Sequence, residues 1–284
     1  MVDKVYFNGE LIERDRARVD MEDRGYQFGD GVYEVIVLWQ GTPFKLEAHM
    51  QRLVSSAEAI DMNVPSREWF IDEAYNYLEE VSCLSEEGDY KLYVQVTRGV
   101  SSRGHAYPDD IEPQILMKAT EISPHPREYF EEGVRVITYP DRRWSMCHVK
   151  SLQLLPNARA KKAAEEADAY EVIFLRDGFA MEGSLSNLFI VEDGCLITPP
   201  ATNYILNGIT RRTVIELADK NDLAVKEESI TVDRLLEADE IFMTGTTTDV
   251  MPIIKVDEQT VADGTPGEVT KKLQGAYWEL ARNG

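Results

Sequence analysis

Cysteine and histidine are scarce in this chain. Cys83, Cys147 and Cys195 are scattered, odd in number and form no CxxC pair. A disulfide framework is thereby excluded, and free, mostly buried thiols are the plain reading. His49, His105, His125 and His148 stand apart, with no HxH or HExxH pattern, so no structural metal is expected. No apolar run approaches the ~20 residues that span a bilayer. The opening, Met1 to Tyr6, lacks a charged-then-apolar signal segment, so the cytoplasm is the expected compartment, with no membrane partner. Basic residues are also outnumbered: 30 Lys and Arg face 51 Asp and Glu, for a net charge of -21. Nucleic acid is therefore not an expected partner, because neutralising phosphates takes clustered Lys and Arg. The acid excess fits either a saline habitat or ordinary solubility. Repeats and low-complexity tracts are absent.

What the chain does have is enough apolar material, 43% of 284 residues, for a large core in one or two domains. Val5 to Ile12 reads as a hairpin turning at Asn8-Gly9. Tyr33 to Trp39, Tyr90 to Thr97 and Gln114 to Ala119 read as strands, and Leu46 to Ile60 and Glu68 to Val81 as helices. The polar, proline-bearing stretch Ile122 to Arg127 suits a linker. Beyond it, Val134 to Thr138, Glu171 to Leu175, Asn187 to Val191 and Ile241 to Thr244 read as strands. Pro156 to Ala167, Gly208 to about Lys220 and Gly267 to Ala281 read as helices. Strands and helices mix in both halves without the rhythm of a doubly wound sheet. The expected class is α+β, with a domain over residues 1–120, a linker over 121–131 and a second domain over 132–284.

Several short stretches carry candidate chemistry. His148 to Leu155 sets Lys150 inside an apolar, strand-like run, where a lysine either snorkels at an edge or is buried for a purpose. Burial lowers the pKa of an amine and makes it the nucleophile that Schiff-base chemistry needs. Leu206-Asn207-Gly208-Ile209-Thr210-Arg211 precedes an amphipathic helix. Its free N–H groups and the Thr210 hydroxyl can hold a phosphate, or Thr210 simply satisfies backbone donors near the helix start. Thr244-Gly245-Thr246-Thr247-Thr248 gathers hydroxyls after a strand without the form of a nucleoside-triphosphate loop. Glu182 sits in a turn, as a solvent-facing acid or a functional one. Arg103 and His105, two apart in the loop Gly99 to His105, can clamp a carboxylate or be incidental surface charge.

The order and wording of these stretches resemble one family. Glu22-Asp23-Arg24-Gly25-Tyr26-Gln27-Phe28-Gly29-Asp30-Gly31-Val32-Tyr33-Glu34 is similar to the opening of bacterial D-amino-acid aminotransferases. Val96-Thr97-Arg98-Gly99, Lys150-Ser151-Leu152, Glu182-Gly183-Ser184, Ser186-Asn187 and Gly208-Ile209-Thr210-Arg211 continue the match, from Tyr6 to about Leu273. The wider group is the fold-type IV pyridoxal-phosphate enzymes. The resemblance implies a small N-terminal α/β domain, a larger, barrel-like mixed C-terminal domain, and pyridoxal 5'-phosphate bound to Lys150 as a Schiff base. Arg52, Ile209, Thr210 and Thr246 would hold the phosphate, Glu182 the pyridine nitrogen, and Leu206 the ring. Tyr33, Arg103 and His105 would trap the substrate carboxylate, the last two reaching across from the other subunit of a homodimer.

The implied reaction is ping-pong transfer of an amino group from D-alanine or a similar D-amino acid to 2-oxoglutarate. Within the same group stand other readings: a branched-chain L-amino-acid or (R)-amine aminotransferase, or an aminodeoxychorismate lyase. Arg103 and His105 favour the D-amino-acid reading. A different class, a cofactor-holding or interaction protein without catalysis, is opposed by the intact Lys150 and Glu182. Two positions depart from the family: Leu185 interrupts a serine run, and Gly245 stands where a serine is common.

Overall fold

A computed structural model describes residues 2–84 and 88–283. The chain forms two compact units, one of residues 1–123 with 149–153 and one of residues 124–148 with 154–284.

The first unit contains β1 (Lys4–Phe7), β2 (Glu10–Glu13), α1 (Arg24–Phe28), β3 (Gly31–Trp39), β4 (Thr42–Pro43), α2 (Leu46–Glu58), α3 (Arg67–Glu80), β5 (Tyr90–Thr97) and β6 (Gln114–Glu121). Among the described residues these strands make an antiparallel sheet in the order β2-β1-β6-β5-β3-β4. The first hairpin turns at Asn8 and Gly9, both at positive φ, 51° and 89°, the geometry that matches the twist of its strands. Leu46, Met50, Leu53 and Ala57 line the buried stripe of α2, at the spacing of a helix face. Ser66 caps α3 by accepting from the Trp69 N–H at 3.2 Å, one of the donors a helix start leaves open. β3 is buried along nearly its whole length.

The stretch around Lys150 is not a strand of the sheet. Residues 149–153 dock on β3 through one bridge, Val32 to Ser151. Leu152 N–H donates to the Gly31 carbonyl at 2.9 Å, and Tyr33 N–H to the Lys150 carbonyl at 3.0 Å. The apolar run is cut short because Leu155 and Pro156 already belong to the next helix, where proline suits the first turn.

The second unit contains α4 (Arg127–Glu131), β7 (Val134–Pro140), α5 (Leu155–Glu166), β8 (Glu171–Arg176), β9 (Phe179–Ala180), β10 (Asn187–Glu192), β11 (Cys195–Thr198), α6 (Ile209–Lys220), β12 (Val225–Glu227), β13 (Ile230–Thr231), α7 (Val232–Glu237), β14 (Glu240–Gly245), β15 (Asp249–Val256), β16 (Gln259–Thr260) and α8 (Glu268–Asn283). Its sheet runs β12-β11-β10-β14-β15-β7-β8-β9-β13, with β16 beside β15. β7 pairs in parallel with both β15 and β8, while β10, β14 and β15 are antiparallel neighbours. Leu188, Ile190, Ile241, Met243, Met251 and Ile253 from these central strands form the core, as alternation along adjacent strands requires. The class is α+β. Among the described residues no helix is long and apolar enough to cross a membrane.

Candidate active site

In the first unit, β3 and α2 bring together an acid and two bases. His49, Arg52 and Ser56 lie three and four residues apart along α2 and so share a face. The wholly buried Glu34 carboxylate accepts from Arg52 Nε at 2.6 Å and Arg52 Nη2 at 2.9 Å, and meets His49 Nδ1 at 2.7 Å. Burial opposes its charge, but Arg52 and His49 together outweigh that and hold the acid well below the usual carboxylate range. Burial lowers the pKa of His49, with Glu34 opposing, so the imidazole stays neutral near pH 7.

Lys150 is held beside this group by its backbone, its N–H donating to Ser56 Oγ at 3.2 Å. Its Nζ lies 4.3 Å from the centre of the Tyr33 ring, so Lys150 and Tyr33 meet directly. The sequence alone does not single out Glu34, His49 or Ser56; the His49-to-Arg52 spacing is the one signal it offers.

Arg103 and His105 occupy an exposed loop of the same unit. The Arg103 guanidinium sits 4.8 Å over the Phe28 ring, and His105 meets that ring edge-on at 6.0 Å. Among the described residues neither side chain bonds to Tyr33. The loop is bolted from beneath by Arg24, which is buried and donates to the carbonyls of Gly104 at 2.8 Å and His105 at 3.3 Å and to Asp30 at 2.8 Å. Arg98 grips the same Asp30. Gly99 has a φ of 121°, and a Cβ there would lie 2.0 Å from the Glu112 carbonyl oxygen, so only glycine fits. The opening motif thus works largely as scaffolding for the arginine–histidine loop.

In the second unit, Glu182 is buried in a tight turn ahead of β10. One carboxylate oxygen is ion-paired with Arg143. The other accepts from Asn187 Nδ2 and from the Leu206 N–H, both at 3.0 Å. Burial pushes this acid up to about 7, with Arg143 and the Leu206 N–H opposing. Asn187 Nδ2 also donates to the Leu206 carbonyl at 2.7 Å, so one amide ties the Glu182 turn to the segment leading into α6. A Cβ at Gly208 would lie 2.1 Å from Asn187 Oδ1, and the close approach requires glycine. Gly208 is the N-cap of α6 and offers no side chain, which leaves the first-turn N–H groups beside Ile209 and Thr210 without a side-chain cap. Arg211 is structural, bonded to Pro199, Asn207 and Glu227.

Thr246 lies in the turn between β14 and β15, and the buried Thr244 hydroxyl before it has no hydrogen-bond partner among the described residues. The two departures meet here: a Cβ at Gly245 would sit 3.2 Å from the Leu185 carbonyl oxygen. The Leu185 side chain is 60% exposed, while its neighbours Ser184 and Ser186 bond inward to Glu171 and Met243.

Comparison with known proteins adds to this geometry. Residues 31–256 match the amino-transferase class IV family. The chain is 44% identical over 273 residues to the D-alanine aminotransferase of Bacillus licheniformis, covering 96% of this chain and 95% of that one. With the D-alanine aminotransferase of Listeria monocytogenes it shares 43% over 278 residues, covering 97% and 95%. Among solved structures, the branched-chain amino acid aminotransferase of Escherichia coli superposes with a TM-score of 0.91 at 27% identity, covering 100% of this chain and 96% of that one. A second branched-chain amino acid aminotransferase, solved with pyridoxamine 5'-phosphate, superposes at 0.89 with 26% identity, covering 100% and 95%.

Proposed function

The chain belongs to the amino-transferase class IV family, and on that footing we propose that it is a pyridoxal-phosphate-dependent D-amino-acid aminotransferase. It moves the amino group of D-alanine or a similar D-amino acid to 2-oxoglutarate. Relatives bearing the D-alanine name share far more residues with it than the branched-chain enzymes do, which favours this substrate class over the branched-chain, (R)-amine and lyase readings. The observation that carries the reading is Lys150, whose backbone is fastened to β3 and Ser56 while its amine lies over the Tyr33 ring.

The residues present suit pyridoxal 5'-phosphate. A buried acid at about 7 is a group that a protonated ring nitrogen would draw into its charged form. An uncapped helix start and an unpartnered threonine hydroxyl are donors for a phosphate. Lys150 would hold the cofactor covalently through its ε-amine. Arg52, Ile209, Thr210 and Thr246 would hold the phosphate, Glu182 the ring nitrogen, and Leu206 the ring face. When bound, the cofactor supplies an electron sink for charge developing at the substrate Cα. Once its amine is free, Lys150 takes and returns the proton at that carbon. Glu34 keeps Arg52 oriented, so phosphate is met by a guanidinium already in place.

Tyr33, Arg103 and His105 would take the substrate carboxylate, with Arg103 and His105 supplied by the partner in a homodimer; their exposure in the protomer suits that use. The smaller N-terminal domain then furnishes the clamp, and the C-terminal domain most of the cofactor contacts.

The test is colour and covalent trapping. The purified protein should be yellow, bleach with D-alanine and recover with 2-oxoglutarate, and borohydride should fix the adduct on Lys150. An adduct on another lysine, or bleaching by L-leucine and not by D-alanine, defeats the proposal.

A further inference from the structure

Glu182 already has a counter-ion. Its Oε1 is ion-paired with Arg143, and its Oε2 accepts from Asn187 Nδ2 and the Leu206 N–H, both at 3.0 Å. A carboxylate offers about two acceptor sites on each oxygen, so Oε2 is full. Among the described residues the open site is on Oε1, the oxygen that Arg143 holds. A ring N–H received by Glu182 would therefore share that oxygen with a guanidinium.

Arg143 is braced where it stands. Asp141 follows β7, donates its N–H to the Leu175 carbonyl at 2.8 Å, and has a carboxylate wholly out of solvent. Its Oδ1 accepts from the Arg143 N–H and Nε, both at 3.0 Å, and its Oδ2 from Arg143 Nη2 at 3.0 Å. Arg143 Nη2 also donates to the Tyr204 carbonyl at 3.2 Å, and the guanidinium lies 4.3 Å over the Phe174 ring. Arg176, at the end of β8, closes the group from the other side, with Nε to Asp141 Oδ2 at 3.1 Å and Nη2 to the Arg143 carbonyl at 3.0 Å. Two arginines thus face two acids. Two more titratable groups stand close. Burial pushes the Cys147 thiol up to about 11, so it stays neutral near pH 7, and it donates to the Trp144 carbonyl at 3.2 Å. Glu171, on β8, accepts from the Ser184 hydroxyl of the Glu182 turn at 2.7 Å.

An acid that only had to attract a cationic ring would need no arginine, because the arginine weakens that attraction. The chemistry of pyridine supplies a reason to keep it. A pyridine nitrogen is a weak base, and a proton shared between it and a carboxylate settles on the stronger base. Burial pushes Glu182 up to about 7, with Arg143 and the Leu206 N–H opposing. Without the guanidinium the buried acid would be more basic still, and it would take the proton and leave the ring neutral.

We propose that Arg143 is a positioning residue that keeps the shared proton on the pyridine nitrogen rather than on Glu182. It does so by setting a fixed positive charge against the one oxygen the ring can use, with Asp141 and Arg176 holding that charge in place. This inference rests on the cofactor reading above and deepens it: the electron-drawing form of the ring is secured by a residue that acts through Glu182.

Wild type, Arg143→Gln and Arg143→Lys are loaded with pyridoxal 5'-phosphate isotope-labelled at the ring nitrogen, and that resonance is read by NMR. The wild type and Arg143→Lys, which keeps the charge, should show a pyridinium. Arg143→Gln, which keeps an amide donor and loses the charge, should move toward a neutral pyridine. Asp141→Asn leaves the arginine charge and should stay with the wild type. The double variant Asp141→Asn with Arg143→Gln strands no buried acid, and it should match Arg143→Gln even where the single variant folds poorly. In the apoprotein, the Glu182 carboxyl, assigned against Glu182→Gln, should titrate roughly 1 to 3 pH units higher in Arg143→Gln than in the wild type. A neutral ring in the wild type, a pyridinium in both variants lacking the arginine, an unmoved Glu182 midpoint, or an equal change in Asp141→Asn would overturn the inference. A wild type that takes up no pyridoxal 5'-phosphate gives no bound resonance at all, and that would overturn the cofactor reading and this inference with it.

Discussion

Glu34 grips Arg52 with both carboxylate oxygens, Oε1 to Nε at 2.6 Å and Oε2 to Nη2 at 2.9 Å, and offers Oε2 to His49 as well. Such a pair stands or falls together, because a lone charge left in the interior costs more than the pair contributes. Glu34→Ala should lose about 3–5 kcal/mol in urea unfolding. The folded acid lies below its unfolded value. Its contribution is therefore complete above the ordinary carboxylate range and disappears only in strong acid, as pH falls through the folded value. Glu34→Ala should show the same deficit at pH 5 and at pH 8.

Asp249 carries the opposite sign. Its folded carboxyl is pushed up to about 6, above an unfolded value near 3.9. The folded state binds the extra proton, so stability falls as pH rises through about 4 to 6 and is level above. Asp249→Asn removes that slope. Its stability relative to the wild type should improve by roughly 2 kcal/mol between pH 4 and pH 7, read by urea unfolding of the apoprotein at each pH.

Arg24 and Arg103 should separate positioning from contact. Arg103→Ala should raise KM for D-alanine by about 10- to 100-fold, the loss of a charge-assisted hydrogen bond, and leave cofactor affinity unchanged. Arg24→Met removes the bolt beneath the loop. It should raise the same KM in the same direction and, unlike Arg103→Ala, lower the thermal midpoint as well. Kinetics and a melting curve on both variants decide it.

Glu182→Gln removes the acid and keeps an acceptor for the Leu206 N–H. With the cofactor still bound, transamination should fall about 10²- to 10³-fold, as when one preorganised electrostatic partner is removed. Single-turnover bleaching by D-alanine measures this independently of product release.

The elements were mostly legible because local chemistry decides them. Asn8 and Gly9 turn a hairpin, Ser66 starts a helix, and Leu46 to Ala57 shows a helix stripe. The motif around Lys150, Glu182 and Thr210 was legible as wording. What stayed hidden was partnership at long range. Nothing in the sequence says that Glu34 on β3 meets His49 and Arg52 on α2, that Arg24 is a bolt for a loop some 80 residues later, or that Trp278 bonds Asp249. These pairs depend on how strands and helices stack, and periodicity carries no record of that. The strand-like reading of the Lys150 stretch fails for a related reason: one bridge, Val32 to Ser151, and a helix that begins at Leu155 leave no room for a ladder.

The membership of residues 149–153 in the first unit has a consequence for synthesis on the ribosome. Gly31 and Tyr33 hold backbone groups whose partners are Leu152 and Lys150, so the first unit cannot close until residues 124–148 of the second have been made. A nascent chain stalled within that stretch would bear an unfinished β3 flank open to other strands, and a gene cut there would yield a fragment prone to aggregation.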